Sequence, residues 1–153
     1  MSELAFRFAT AADLPAIVAL LADDEFADNR EQGGDTPAPE YVKAFAEMQA
    51  MPGNRILLAE LDGAIVGALH LAFVPGLSRK GTKRAIIEAV RVASNARDAG
   101  IGTALMKQAI AEARQAGCTL AQLTSDKRRT RAHLFYRRLG FEQSHVGFKK
   151  ELL

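Results

Sequence analysis

The sequence predicts an α/β (α+β) fold with one mixed, mostly antiparallel central sheet of about seven strands and helices on both faces. The first half of the chain reads as a meander of strands with a hairpin turn at Asp62-Gly63. The second half alternates strand, helix, strand and helix, an order that covers both faces of a sheet. The 153 residues contain no internal repeat or linker and predict one domain over 1–153.

Strands are predicted where alternating or β-branched apolar residues lie between turn signals. The seven predicted strands are Leu4–Phe8, Ile56–Leu61, Ile65–Phe73, Thr82–Val92, Leu120–Thr124, Phe141–Ser144 and Phe148–Leu152. In the fourth of them, regular alternation would place Glu88, Val90 and Val92 together on one face.

Helices are predicted from apolar stripes that repeat at helical spacing. They cover about 13–21, 40–50, 102–116 and 129–139. The third ends at Gly117, a residue typical of the carboxyl end of a helix, and the fourth ends at Gly140. Between the first two helices, 28–39 is rich in Gly, Pro and Asp and predicts a loop.

Composition restricts the class of protein. The chain is 48% hydrophobic and 25% charged, as in ordinary soluble globular proteins, and its amino terminus predicts neither a signal peptide nor a membrane span. A single cysteine, Cys118, rules out an internal disulfide and a multi-cysteine metal site, and it favours a reducing, cytoplasmic location. The three histidines show no metal-ligand spacing, so no metal is predicted.

The run RDAGIGT at 97–103 lies between the fourth strand and the third helix. The start of a helix exposes unpaired N–H groups, glycines let an anion approach them, and Arg97 adds a forked donor. A pyrophosphate would fit this combination of exposed N–H groups, glycines and an arginine. No Walker lysine follows, and Leu105 stands where a dinucleotide loop needs glycine or alanine. A plain strand-to-helix turn with a surface arginine accounts for the same residues.

Three linked runs carry a family resemblance. Arg97 to Gly102 fits the pattern R/Q-x-x-G-x-G/A, IEAVRV at 87–92 fits a central strand, and AHLFYRRLGF at 132–141 fits A-x-x-x-Y-x-x-x-G-F. In this order and spacing, the runs resemble the GNAT superfamily of N-acetyltransferases. The likeness is strong over about 80–153, and the end of the chain is most similar to bacterial aminoalkylphosphonate-type acetyltransferases.

The resemblance implies an acetyl-CoA-dependent N-acetyltransferase in which an amine attacks the thioester directly in a ternary complex, without a metal. It implies that the fourth and fifth strands splay apart at a bulge and that the pantetheine arm pairs with backbone in the gap. The implied cofactor-binding residues are Val90, Arg91 and Val92 in that gap and Arg97, Asp98, Ala99, Gly100, Ile101, Gly102 and Thr103 around the diphosphate.

Two side chains match catalytic positions of the family. Glu88 is the candidate base, and burial among apolar neighbours is expected to raise its pKa. Its alternative role is a charge pairing with Arg91 or Lys83. Tyr136 is the candidate acid that protonates the leaving thiolate, and its alternative role is core packing. The sequence departs from the family at Arg129, where many relatives have asparagine; Asp126 or Ser125 is left open as a substitute.

The acceptor is expected to be an amine of a small molecule or peptide. The acidic segment 23–35 suits a cationic amine, whereas the basic run SRKGTKR at 78–84 suits a phosphonate or carboxylate, and the sequence does not decide between them. A homodimer stays open, and a membrane partner is not expected. A non-catalytic acyl-CoA sensor is the alternative function. Nucleic-acid binding through 127–131 is disfavoured by a net charge of +2 and the lack of tryptophan.

Overall fold

A computed structural model describes residues 3–27 and 29–153. Met1, Ser2 and Asp28, the last in the predicted acidic segment, lie outside the described residues. The strands are β1 (Leu4–Phe8), β2 (Asn54–Leu61), β3 (Ala64–Pro75), β4 (Lys83–Val92) and β5 (Leu120–Leu123). The helices are α1 (Leu14–Ala22), α2 (Pro39–Ala50), the short α3 (Ser78–Gly81), α4 (Ile101–Gln115) and α5 (Thr130–Arg138).

The strands form one sheet in the order β1-β2-β3-β4-β5. The first three pairings are antiparallel, and β5 runs parallel to β4 because α4 carries the chain back across the sheet. This confirms the predicted mixed, mostly antiparallel sheet. None of the helices within the described ranges is long and apolar enough to cross a membrane.

Helices cover both faces of the sheet, as predicted. On one face α4 buries Leu105, Met106 and Ala109 against Leu69 and Ile87, and α5 packs at the edge of the same cluster. The opposite face carries α1 and α2, whose buried side chains meet Leu58 and Ala68. The two faces therefore provide different surroundings for alternate residues of β4.

A β-bulge near the end of β4 changes which residues share a face. Ala89 has a left-handed backbone with φ of 51°, and the register with β3 shifts there, so that two β4 residues face one β3 residue. Glu88 lies opposite His70, and Arg91 lies opposite Ala68. The predicted common face of Glu88 with Val90 and Val92 is therefore wrong. Glu88 shares a face with Arg91, whereas Val90 and Val92 pack against the α4 cluster.

The prediction of about seven strands is wrong in its last two members, because the described residues form five. The predicted strands Phe141–Ser144 and Phe148–Leu152 have no strand assignment. Gly140, with φ of 94°, turns the chain out of α5, and after Phe141 the chain is exposed to its end. A strand needs a neighbour for its backbone N–H and C=O groups, and this segment pairs with no strand in the part of the chain that the structure describes.

Candidate active site

A gap opens between β4 and β5. The two strands pair only from Arg84 to Ile87 on β4, whereas β4 continues to Val92. Beyond Ile87, none of the strands formed by residues 3–27 and 29–153 lies beside the β4 backbone groups that point away from β3. Such an edge can pair with an amide-bearing ligand, and it includes the predicted contacts Val90, Arg91 and Val92. The carbonyl of Val90 already accepts a hydrogen bond from Arg91 Nη1 at 3.0 Å.

The amino terminus of α4 lies beside this gap. Gly100 is left-handed, with φ of 76°, and the first helical hydrogen bond of α4 runs from Ala104 N–H to the Gly100 carbonyl at 3.1 Å. The N–H groups of 101–103 precede that bond and point out of the helix. A Cβ added to Gly102 would lie 3.5 Å from Phe135 Cζ and 3.7 Å from Val92 Cγ2. The helix start therefore lies against both β4 and α5.

The predicted phosphate ligand Arg97 is engaged by protein groups. Its Nε donates to the Val92 carbonyl at 3.2 Å and its Nη2 donates to the Asp23 carbonyl at 3.0 Å, while half of the side chain stays exposed. The neighbouring Asp98 is exposed and lies 3.8 Å from Arg131, and Ala99 is exposed too. Arg97 thus lies in the loop before α4, but its guanidinium points toward the segment that follows α1.

Glu88 lies at the bulge and is exposed, so the predicted burial of its carboxylate among apolar neighbours is wrong. His70 lies directly across from it on β3. The His70 ring is half-buried and its Nε2 contacts Asn54 Oδ1. Burial lowers the pKa of His70, and the charge of Glu88 only partly opposes this. A neutral imidazole therefore stands beside an accessible carboxylate.

The two alternative partners considered for Glu88 are occupied elsewhere. Arg91 extends toward Asp24, and Lys83 Nζ donates to the Ala116 carbonyl at 2.7 Å. Within the parts of the chain that the structure describes, Glu88 forms no ion pair. Its carboxylate is thus open to a ligand from the α1 and α2 side of the sheet.

Tyr136 projects from α5 into an aromatic cluster. Its ring makes edge contacts with Phe135 and Phe141, with centroids 5.2 and 6.1 Å away. Burial raises the pKa of the Tyr136 hydroxyl, and the positive charges of Arg91 and Arg129 oppose that rise without cancelling it. The phenol is therefore protonated at neutral pH, which a proton donor requires.

One feature of the site was not predicted, an ion cluster centred on Asp24. Its carboxylate accepts from Arg129 Nη1 at 2.8 Å and Nη2 at 2.5 Å, and Arg91 Nη2 lies 3.5 Å away. All three side chains are largely buried, with 7% of Asp24, 17% of Arg91 and 23% of Arg129 exposed. Arg91 Nε is buried without a hydrogen-bond partner among the described residues. The departure at Arg129 was the only sequence signal of this cluster.

A small cavity of about 140 Å³ lies under α1 next to the bulge. Its walls are mostly apolar side chains of α1, β2 and β3, with His70, Ala89 and Arg91 as the members near the bulge. A larger depression of about 560 Å³ lies at the other end of the sheet, beside Phe8 and Gln115. Only the smaller cavity adjoins the residues that the sequence predicted to be functional.

The remaining titratable candidates do not gather at the site. His133 contacts the Asp126 carbonyl at 3.0 Å and His145 contacts Ser144 Oγ at 2.6 Å. Cys118 is buried, and burial raises the pKa of its thiol. Residues 3–27 and 29–153 contain no group of three or more His, Cys, Asp or Glu side chains arranged to hold a metal ion.

Comparisons with known proteins agree with this geometry. Residues 16–141 match the model of a family described as the acetyltransferase (GNAT) family. Over 112 residues the chain is 36% identical to an aminoalkylphosphonate N-acetyltransferase from Salmonella typhimurium, which covers 73% of this chain and 72% of that protein.

Solved structures show the same fold. A Bacillus halodurans protein described as a transcriptional regulator is 41% identical, with a TM-score of 0.94 over 98% of this chain and 100% of that chain. An acetyltransferase from Trypanosoma brucei is 26% identical, with a TM-score of 0.77 over 98% of this chain and 100% of that one.

Proposed function

Because the chain belongs to the acetyltransferase (GNAT) family and is an acetyl-CoA-dependent N-acetyltransferase, we propose that its acceptor is a small primary amine carrying an anionic group. The observation that carries this proposal is the pair of guanidiniums, Arg91 and Arg129, that share the single carboxylate of Asp24. The single negative charge of Asp24 lies between two positive guanidiniums, so this largely buried cluster carries a net positive charge. An anion bound there would complete the charge balance.

The acidic segment offers little to a cationic acceptor. Asp24 is held by the two arginines, and Asp23 accepts the Ser94 N–H at 3.1 Å. Glu31 accepts from the Tyr41 hydroxyl at 2.9 Å. Three carboxylates of this segment thus have protein partners, so a polycation would have to displace them.

The basic run at 78–84 is remote from the gap. Arg84 pairs with Leu120 at the start of β5 and donates to Gln122 and Ser78, and Lys83 lies at the beginning of β4. Glu88 and Arg91 lie toward the other end of that strand. A phosphonate or carboxylate next to the reacting amine would therefore meet Arg91 and Arg129 and not this run.

Cavity size favours a small acceptor over a peptide. About 140 Å³ is the space of roughly five water molecules at liquid density. That space suits an aminoalkyl group with a compact anionic end. The Salmonella relative is described as acting on aminoalkylphosphonates, which have this composition.

The proposed role of each residue follows from its position in the site. Acetyl-CoA supplies the acetyl group as a thioester, and the N–H groups of 101–103, the backbone of Val90–Val92 and the side chain of Arg97 are proposed to bind it. Glu88, exposed on the acceptor side, would accept a proton from the amine. Tyr136, held protonated across the gap, would donate one to the leaving sulfur. The left-handed backbone of Gly100, immediately before α4, supports the proposed role of this loop in binding acetyl-CoA.

The test compares acceptors of matched size by thiol release from acetyl-CoA. We expect kcat/KM for 2-aminoethylphosphonate to exceed that for 2-aminoethanol by about 100-fold, the scale of one or two charge-assisted hydrogen bonds. A diamine and an amino-terminal peptide should be poor acceptors. Equal rates for all of these amines, or a preference for the diamine, would refute the anionic acceptor. No thiol release with any amine would favour the acyl-CoA sensor. The cytoplasmic location and the single domain stay predictions.

A further inference from the structure

We propose that His70 binds the reacting nitrogen of the acceptor, with ring atom Nδ1 accepting a hydrogen bond from the amine beside the carboxylate of Glu88. The inference rests on the proposed amine acceptor and adds a residue that holds its reacting end. His70 lies in β3 directly opposite Glu88 in β4, and its ring forms part of the wall of the small cavity under α1. Side chains paired in this way lie about 5 Å apart, so one nitrogen atom between them can contact both.

Asn54 fixes which ring nitrogen of His70 carries the hydrogen. It lies in β2 on the same face as His70, two residues before the residue that pairs with His70, and its Oδ1 contacts His70 Nε2. The amide nitrogen of Asn54 donates to Met51 Sδ at 3.7 Å, so the oxygen is the atom that meets the ring. An amide oxygen only accepts hydrogen bonds. Nε2 of the neutral ring therefore carries the hydrogen, and Nδ1 has the lone pair.

The lone pair of Nδ1 is available to a ligand. Among residues 3–27 and 29–153, Nδ1 has no hydrogen-bond partner. The side chains of α1 and β2 in the cavity wall are apolar, namely Ile17, Leu20, Leu21 and Ile56. The polar members of that wall are His70 and Arg91, and Arg91 Nε is buried without a partner among the described residues. The cavity thus offers an acceptor atom to an amine and a cation to an anionic group.

This role requires a neutral imidazole, because an imidazolium has no lone pair and repels an ammonium. The charged groups near the ring belong to β4, with Glu88 across from it and Arg91 in the same cavity wall. Burial lowers the pKa of His70 from 6.5, and the charge of Glu88 only partly opposes this. The ring is therefore neutral at pH 7. A primary amine that has lost a proton to Glu88 keeps two N–H groups, so the hydrogen bond to Nδ1 persists.

The first test measures steady-state kinetics in His70→Leu, with His145→Leu, which alters an exposed histidine, as the control. His70→Leu should raise KM by about 10–100-fold for both 2-aminoethylphosphonate and 2-aminoethanol, the scale of one hydrogen bond to a charged group. The change in kcat should be smaller, and KM for acetyl-CoA should not change. His70→Asn should recover part of the loss, because its Oδ1 can take the place of Nδ1.

The two amines separate this inference from the proposed function. Their common part is the amine, so the ratio of their kcat/KM values should be the same in His70→Leu and in the wild type. Equal rates with both amines in the wild type would refute the anionic acceptor and leave His70 unaffected. An unchanged KM in His70→Leu, with the wild-type preference intact, would overturn the role of His70 alone.

The pH dependence distinguishes amine binding from a structural role. Both acceptors stay protonated from pH 5.5 to 8, so their own titration does not contribute. In the wild type, KM should rise as the pH falls through the lowered pKa of His70. Asn54→Asp adds a carboxylate that raises this pKa, so the rise should begin at a higher pH. His70→Asn should show no such rise. The same profile in the wild type and Asn54→Asp would contradict the proposal.

Nitrogen NMR of the labelled protein reports the ring directly and does not depend on turnover. The wild type at pH 7 should show His70 with hydrogen on Nε2, and saturating 2-aminoethylphosphonate in the presence of CoA should shift the Nδ1 resonance. The resonances of His145 should not move. A ring with hydrogen on Nδ1, or an Nδ1 resonance that the amine leaves unchanged, would overturn the proposal.

Discussion

At the scale of single residues, Ala89 decides the layout of the site. Its left-handed backbone inserts one extra residue into β4, and the face of every later side chain is reversed. The family resemblance implied a bulge in this region, but nothing in AIIEAVRV marks Ala89 as its position, because glycine or asparagine is the usual sign of such a backbone and alanine is not. The sequence therefore identified Glu88 and Tyr136 as candidates but assigned Glu88 the wrong neighbours.

The bulge improves the case for Glu88 as a base while removing the original reason for it. The carboxylate lies on the α1 and α2 side of the sheet with Arg91 and His70, the side on which the small cavity under α1 lies. Amines are mostly protonated at neutral pH, and an ammonium has no lone pair with which to attack. The exposure of the carboxylate, and not its burial, is now the supporting observation.

Glu88→Gln should lower turnover at neutral pH and recover part of it at high pH, where the free amine becomes abundant. Acetyl-CoA affinity should stay nearly unchanged, since Glu88 lies on the face of the sheet opposite α4. Initial rates of thiol release from pH 7 to 10 measure this. Glu47→Gln, an exposed carboxylate on α2, is the matched control. The same fractional loss at every pH would make Glu88 a positioning residue, and full activity would remove it from the mechanism.

Tyr136→Phe should reduce turnover by about 100-fold, the usual contribution of a positioned acid, with acetyl-CoA affinity retained. The phenyl ring keeps the edge contacts with Phe135 and Phe141, so the fold should not change. Single-turnover kinetics and calorimetry measure the two effects. Tyr41→Phe alters the other tyrosine of the chain and should leave turnover intact. Unchanged turnover in Tyr136→Phe would assign the ring to core packing.

At the scale of elements, periodicity was sufficient for the strands that form the sheet and for the helices that cover it. The four main helices and five strands were predicted close to their observed bounds, because an apolar stripe fixes which face is buried. The turn at Ser78–Gly81 was not predicted as helical, and two of its residues, Arg79 and Lys80, are left-handed. The last two predicted strands were wrong although their alternation is regular. A pattern shows which side of a strand would be apolar but not whether a neighbouring strand pairs with it.

The start of α4 gives the prediction at this scale. Gly102→Asp should weaken acetyl-CoA binding by about 100-fold or more, because a carboxylate at the helix start repels the diphosphate from the exposed N–H groups. Gly102→Ala is the control, since its Cβ would make only ordinary contacts with Phe135 and Val92. Calorimetry measures affinity, and thermal unfolding verifies that both variants fold. Equal affinity in the two variants would remove this loop from the cofactor site.

At the scale of the whole molecule, the Asp24 cluster ties together segments that are far apart in the chain. Asp24 follows α1, Arg91 lies on β4, and Arg129 precedes α5 by one residue. Phe26 adds to the link, since Arg128 and Arg129 lie 4.6 and 5.0 Å from its ring centroid. Sequence patterns describe local periods, so a contact across 105 residues had no signal except an unexpected arginine. The cluster joins the segment after α1, the end of β4 and the start of α5.

Asp24→Asn should therefore lower the free energy of unfolding by about 2–4 kcal/mol, since two largely buried guanidiniums would lose their counter-charge. The hydrogen bond to Arg129 lowers the pKa of Asp24, so this stabilisation is fully present above about pH 4. It is lost as the pH falls further, toward the lowered pKa of the folded state. Urea unfolding should thus show a large difference in the free energy of unfolding between wild type and variant at pH 7, and a smaller difference at pH 3. Asp35→Asn removes an exposed carboxylate from the same loop, and its free energy of unfolding should equal that of the wild type at both pH values. If Asp24→Asn were as stable as the wild type at pH 7, the cluster would not hold the three segments together.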